Sequence, residues 1–165
     1  LLVEEKIKEV NLSSIELEKI IKNNFSYAWK LYYEFQIPML LKYKSFFNDL
    51  ESFHIFGSCA VNQHLYTQKV NKMMSRSEFF KNWYSKNTVG INAMSISDIT
   101  GIPRATVVRK LKKLVKLNIL FIDKKKRYVV TKEATNKLFP IQSVVLEGLS
   151  DFATKIFNLA LYSQN

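Results

Sequence analysis

Residues 95–131 read SISDITGIPRATVVRKLKKLVKLNILFIDKKKRYVVT, and the fold is decided there. Just upstream, the Asn92 side chain can accept from the unpaired N–H groups at the start of a short helix that runs through Thr100. Gly101 breaks this helix, since glycine enters the left-handed region without a Cβ penalty. Pro103 then pre-sets the first turn of a further helix from residue 104 to about residue 117. Asn118 can end that helix in the left-handed conformation. Two short runs of β-branched and aromatic residues follow, 119–122 and 127–131, and predict a hairpin joined by residues 123–126. The connection has no Gly or Asn for a tight primed turn, so a looser loop is expected. The predicted order is helix, tight turn, helix, two-stranded hairpin.

Projected at about 100° per residue, the second helix separates into two faces. Val107, Leu111 and Leu114 point one way, which predicts packing, while Ala105, Arg109, Lys112, Lys113 and Lys116 point the other. Small Ala105 permits close approach to a groove, and Val108 at the edge of that face suits a thymine methyl. Arg109 has the planar fork that reads a guanine edge bidentately. Lys112, Lys113 and Lys116 suit flanking phosphates, and Arg104 and Thr106 in the first turn suit a backbone phosphate. In the hairpin connection, Lys124, Lys125, Lys126 and Arg127 form a cationic run that would track a phosphate strand, with Arg127 entering a narrow minor groove.

The charge is concentrated in the same region. The chain carries +11 overall, and residues 101–137 hold twelve of its 25 cations against only Asp123 and Glu133. Three of the four arginines, Arg104, Arg109 and Arg127, fall there. An excess of this size repels itself unless a polyanion is the partner, so double-stranded DNA is the expected partner.

The same residues resemble the winged helix-turn-helix of bacterial transcription regulators, in particular the MarR type. Gly101 and Ile102 match that family's turn. Thr106, Val107, Arg109, Leu111 and Leu114 match the Thr-Val-x-Arg-x-Leu-x-x-Leu pattern of its recognition helix, and Asn118 stands where the family usually has glycine. The resemblance covers the winged region alone. It implies a cytoplasmic, nucleoid-associated bacterial regulator of transcription, a homodimer formed through terminal helices and a pseudo-palindromic DNA site. A small-molecule effector is a further partner that the resemblance suggests.

The whole chain of 165 residues is 47% apolar, with twelve Phe, eight Tyr and two Trp but only four Gly and three Pro, so long helices are expected. The expected fold class is mainly α: a winged helix-turn-helix with a two-stranded wing, flanked by long amino- and carboxy-terminal helices. Phe25, Ala28, Trp29, Tyr32, Phe35 and Met39 form a stripe at helical spacing after a cap at Ser13 or Ser14, and Pro38 should kink or divide that helix. A helix capped by Asn48 or Asp49 and running to about residue 68 would carry Leu50, Phe53, Gly57, Ala60 and His64 on one face. Gly57 and Ala60 would there admit a close neighbour. A shorter helix is expected at 77–84 and a loop at 85–90. Thr131 would cap a short helix that Pro140 ends, and Ile141, Val145, Leu149, Phe152, Ile156 and Leu159 mark a last helix.

The expected division is 1–90 for core, dimerisation or pocket helices, 91–139 for the winged module and 140–165 for a dimerisation helix. The lone Cys59 excludes an internal disulfide and reads as a small core residue suited to a reducing cytoplasm. His54 and His64 lack partners at ligand spacing, and no phosphate loop or acyl-transfer set is present, so no metal, cofactor or enzymatic activity is expected. No apolar run approaches the roughly 18–20 residues of a membrane span, and the start does not read as a signal peptide. The chain opens at Leu1 rather than methionine, so preceding residues are expected. The competing reading is a winged-helix module for protein or RNA interaction within a larger assembly. Single-stranded RNA would want exposed aromatics among the cations, where only Phe121 and Tyr128 are on offer.

Overall fold

The computed structural model describes residues 12–67, 75–83 and 89–163. They form seven helices and one two-stranded antiparallel sheet: α1 (Ser14–Asn23), α2 (Phe25–Phe47), α3 (Leu50–Thr67), α4 (Arg76–Trp83), α5 (Ala93–Thr100), α6 (Arg104–Lys116), β1 (Leu120–Ile122), β2 (Tyr128–Val130) and α7 (Lys132–Tyr162). The chain is thus mainly helical. No helix among the described residues is long and apolar enough to cross a membrane. Two compact units are present, Met39–Val144 and the pair of segments Leu1–Pro38 and Val145–Asn165. Neither expected boundary, at residue 90 or at residue 139, separates them, because α3 packs on α5, α6 and β2 and so completes one core with them.

In the unit Met39–Val144 the local signals fix the elements. The Asn92 side chain accepts from Ser95 N–H at 2.9 Å and caps α5. Gly101 ends it at φ 68°, in the left-handed region. Asn118 follows α6 at φ 55°, again left-handed. The hairpin pairs Leu120 with Val130, Phe121 with Val129 and Ile122 with Tyr128. Ile91 adds a bridge to Tyr128, and a Cβ on the preceding Gly90 would lie 2.7 Å from the Tyr128 carbonyl oxygen. Glycine is required there by close approach. The core gathers Ile55, Phe56 and Cys59 from α3, Ile96 from α5, Val107, Leu111 and Leu114 from α6, Leu120 and Val130 from the hairpin, and Ala134 and Leu138 from α7.

The buried face of α3 differs from the expected one. Ser52, Ile55, Phe56, Cys59 and Gln63 are buried, whereas Phe53, Gly57, Ala60 and His64 are only partly so. A Cβ on Gly57 would meet nothing within 4 Å, so no neighbour exploits its small size. The reason is Gln63, which the apolar pattern skips: its Oε1 accepts from Val130 N–H at 3.0 Å and its Nε2 donates to the Trp83 carbonyl at 3.1 Å. These two bonds satisfy buried backbone groups and set the rotation of α3. His64 packs against the Phe79 and Trp83 rings, at 5.2 and 6.0 Å between centroids.

Pro38, expected to kink or divide its helix, and Pro140, expected to end one, both lie inside helices. α2 continues through Pro38, and α7 continues through Pro140, so the short helix and the last helix of the sequence reading are one. Proline in a helix interior costs about 3 kcal/mol or more. In α7 the burial of Leu138 and the packing of Ile141 on the same core offset this. Thr131 does cap α7, accepting from Ala134 N–H at 2.9 Å. α4 begins one residue earlier than expected, with a reciprocal Ser75 and Glu78 cap. Most of the expected 85–90 loop lies outside the described residues.

In the second unit Ser13 and Glu16 form a capping box at α1, and Asn24 separates α1 from α2. Ala28, Leu31 and Ile156 form the core, joined by Leu17, Ile21 and Phe152. Phe35 stacks on Phe152 at 5.6 Å. The expected α2 stripe is buried only in part: Ala28 is buried and Tyr32, Phe35 and Met39 are partly so, whereas Phe25 and Trp29, with neighbouring Tyr27 and Tyr33, are about half exposed, as are Leu146, Leu149, Phe157 and Leu161.

Candidate nucleic-acid interface

The amphipathic pattern of α6 translates directly into its placement. Val107, Leu111 and Leu114 are fully buried against α3, α5 and the hairpin base. Ala105, Val108, Arg109, Lys112, Lys113 and Lys116 together line one shallow surface concavity. The sequence placed five of these on the outward face and Val108 at its edge. Among the described residues no carboxylate lines this surface, so its four cations share it without a counter-charge from them. Arg104 is exposed at the first turn and Thr106 is partly buried beside it. Pro103 precedes the helix with no side-chain cap, leaving the first N–H groups of α6 available to an anion.

The hairpin connection, residues 123–127, is longer than a tight primed turn, as expected, but it is ordered. Asp123 organises it: its Oδ1 accepts from Lys125 N–H at 2.8 Å and from Arg127 N–H at 2.9 Å. Lys126 takes the left-handed position at φ 58° that a Gly or Asn would normally supply. An aspartate side chain bonding the backbone two and four residues on closes the turn without glycine. Lys124, Lys125 and Lys126 are exposed. Arg127 differs from its expected role, because its guanidinium pairs with Asp123 at 2.8 Å and is three-quarters buried. Partial desolvation opposes ionisation of Asp123, but the Arg127 amide and guanidinium and the Lys125 amide outweigh it and hold the carboxyl below its usual range. Arg127 therefore holds the turn and its charge is largely spoken for.

A second cation is withdrawn in the same way. Lys110 sits on the buried face of α6, 7% exposed, with its Nζ 2.8 Å from Asp49 and 3.1 Å from Glu51. Neither carboxylate was linked to α6 by sequence spacing, since they lie some sixty positions away. A wheel position on the apolar side was the one available signal. Lys137 likewise caps the end of α6, donating to the Leu117 carbonyl at 2.8 Å. The fourth arginine, Arg76, lies over the Phe139 ring at 4.2 Å and donates to Gln142.

Cys59 is buried, and desolvation pushes its thiol up to about 12, which makes it an inert core residue. Among the described residues, no three His, Cys, Asp or Glu side chains come together as metal ligands would. Comparison of the chain with protein-family models, with characterised proteins and with solved structures finds no match.

Proposed function

We propose that the chain is a sequence-specific double-stranded DNA-binding regulator of transcription, built on a winged helix-turn-helix of MarR-like type. The observation that carries this reading is the outward face of α6, where Ala105, Val108, Arg109, Lys112, Lys113 and Lys116 form one cationic surface. A helix of this kind, with its opposite face anchored in a core, fits the major groove. Arg109 is the base reader, flanked by lysines that neutralise phosphate. α5, the Gly101 turn, α6 and the β1–β2 hairpin supply the helix-turn-helix and wing. Arg104 and the exposed Lys124, Lys125 and Lys126 extend the phosphate contacts.

The exposed apolar residues on α2 and the end of α7, among them Trp29, Tyr33, Leu149 and Phe157, support association with a second copy through the terminal helices. Two-fold pairing would set two half-sites about 34–36 Å apart on the duplex. Selecting bound sequences from random duplex DNA tests binding, preference and half-site spacing together. In the recovered sequence, Arg109→Ala is expected to cost about 1–3 kcal/mol and to relax preference at one base pair. Unchanged affinity and preference would remove α6 from the major groove.

One observation favours the second reading, a module for RNA or protein. Phe121 on β1 is about half exposed beside the cationic loop and is available for stacking on an unpaired base or a partner side chain. Stronger binding to single-stranded RNA than to duplex DNA across several salt concentrations, lost in Phe121→Ala, would favour it.

A further inference from the structure

Lys110 is the one cation of α6 that faces inward, and its surroundings are directional. Asp49 caps α3, accepting from Ser52 N–H at 2.6 Å through Oδ1, and holds Lys110 Nζ at 2.8 Å through Oδ2. Glu51, in the first turn of α3, holds the same Nζ at 3.1 Å. Asn48 makes the corner between α2 and α3 in the left-handed conformation, φ 66°. Both carboxylates thus come from one rigid corner. The aliphatic neighbours Val107, Leu111 and Leu114 supply burial, but apolar packing alone tolerates rotation and repacking. Two charge-assisted bonds to one ammonium do not, because turning α6 by a single position, about 100°, would break both.

Burying an ammonium is costly, and an aliphatic side chain of similar length would pack at least as well. Stability alone therefore does not explain a lysine at this position. Geometry does, since Lys110 directly follows Arg109 and the angle held at one residue sets the direction of the next. We propose that Lys110, held by Asp49 and Glu51, is the positioning residue of the α6 surface: it fixes the rotation of the helix against α3, and so the direction of Arg109, and does not itself meet nucleic acid. This rests on the duplex-DNA reading for its consequence but not for the clamp itself. Desolvation opposes the charge on Lys110, yet Asp49 and Glu51 outweigh it and raise its pKa, in keeping with a permanently charged clamp.

The test compares the full chain with Lys110→Met, the double variant Asp49→Asn with Glu51→Gln, and Lys112→Met. Affinity is measured for the duplex recovered by selection and for a scrambled duplex of equal length over a range of salt, and amide hydrogen exchange of α6 is followed without DNA. Lys110→Met is expected to lower the ratio of the two affinities about tenfold, the size of one lost base contact, with the salt slope unchanged. Its α6 amides should exchange faster. The double variant should lose the same discrimination and exchange its α6 amides faster, whereas Lys112→Met should keep discrimination and flatten the slope by about one. If Lys110→Met flattens the slope as Lys112→Met does, or leaves both discrimination and α6 protection intact, the proposal is overturned. Should the wild-type chain not discriminate and Lys112→Met have no effect, the DNA reading fails instead. Exchange then decides the clamp, with unchanged α6 protection in Lys110→Met or in the double variant overturning it. If Lys110→Met does not fold, the double variant carries the same comparison.

Discussion

Replacing Gln63 with Leu removes the side-chain amide that joins α3 to β2 and to the end of α4, while keeping a buried apolar side chain of similar size. The partners affected include the Val130 N–H at 3.0 Å and the Trp83 carbonyl at 3.1 Å, each on a buried residue. A buried polar group that loses its partner costs about 1–3 kcal/mol. The carbonyl has a second lone pair and lies at the lower end, so the expected loss is about 2–4 kcal/mol. With a urea m value of about 2 kcal/mol/M, the unfolding midpoint should fall by about 1–2 M, followed by far-ultraviolet circular dichroism. Gln63→Glu gives an internal control. Its carboxylate still accepts from Val130 N–H but cannot donate to Trp83, and burial raises its folded pKa above the unfolded value. Its stability is therefore fullest at low pH and declines as pH rises through that folded value, the opposite of a paired surface carboxylate. A loss below about 1 kcal/mol in Gln63→Leu, or no pH trend in Gln63→Glu, would refute the claim that these two bonds fix the rotation of α3.

Three further outcomes are expected. Cys59, its thiol pushed up to about 12 by burial, should resist a thiol reagent at neutral pH in the folded chain and react promptly in urea; equal rates would contradict its burial. Burial tends to raise the pKa of Asp49, but the bonds from Lys110 and Ser52 prevail and lower it, so its stabilising contribution is complete above the ordinary value of 3.8 and is lost as pH falls through the lower folded value. Asp49→Asn should accordingly weaken the acid-side decline in the urea midpoint, and an identical decline in wild type and variant would argue against the pairing. Gly90→Ala would place a methyl 2.7 Å from both the Tyr128 carbonyl and the Val129 side chain, and should cost about 1–3 kcal/mol by thermal or urea unfolding, unlike Gly57→Ala, which meets open space.

Much of the candidate site was legible because its determinants are local. Asn92, Gly101 and Asn118 act on backbone within a few residues of themselves, and the two faces of α6 follow from helical periodicity alone. The hairpin was placed to within a residue or two at each end, but the order of its connection was not foreseen, since Asp123 works through side-chain bonds that composition does not announce. The phase of α3 was also misjudged, and only part of the α2 stripe is buried. A stripe of apolar residues marks a helix without saying which edge is buried when apolar residues outnumber the core positions, as the exposed Phe25 and Trp29 illustrate.

By itself, then, the sequence determined the order of helix, turn, helix and hairpin, and the outward cationic face of α6, because caps, breaks and periodicity are properties of neighbouring residues. Tertiary structure alone decided which of the clustered cations remain available. Lys110 looks like its neighbours in the sequence, yet it is drawn inward by Asp49 and Glu51, some sixty positions away. It also decided that Pro38 and Pro140 lie within continuous helices and that Gln63 belongs to the core. The physical reason is common to these cases: the energy of a buried charge, a missing helical bond or a buried amide is set by partners that only folding brings near.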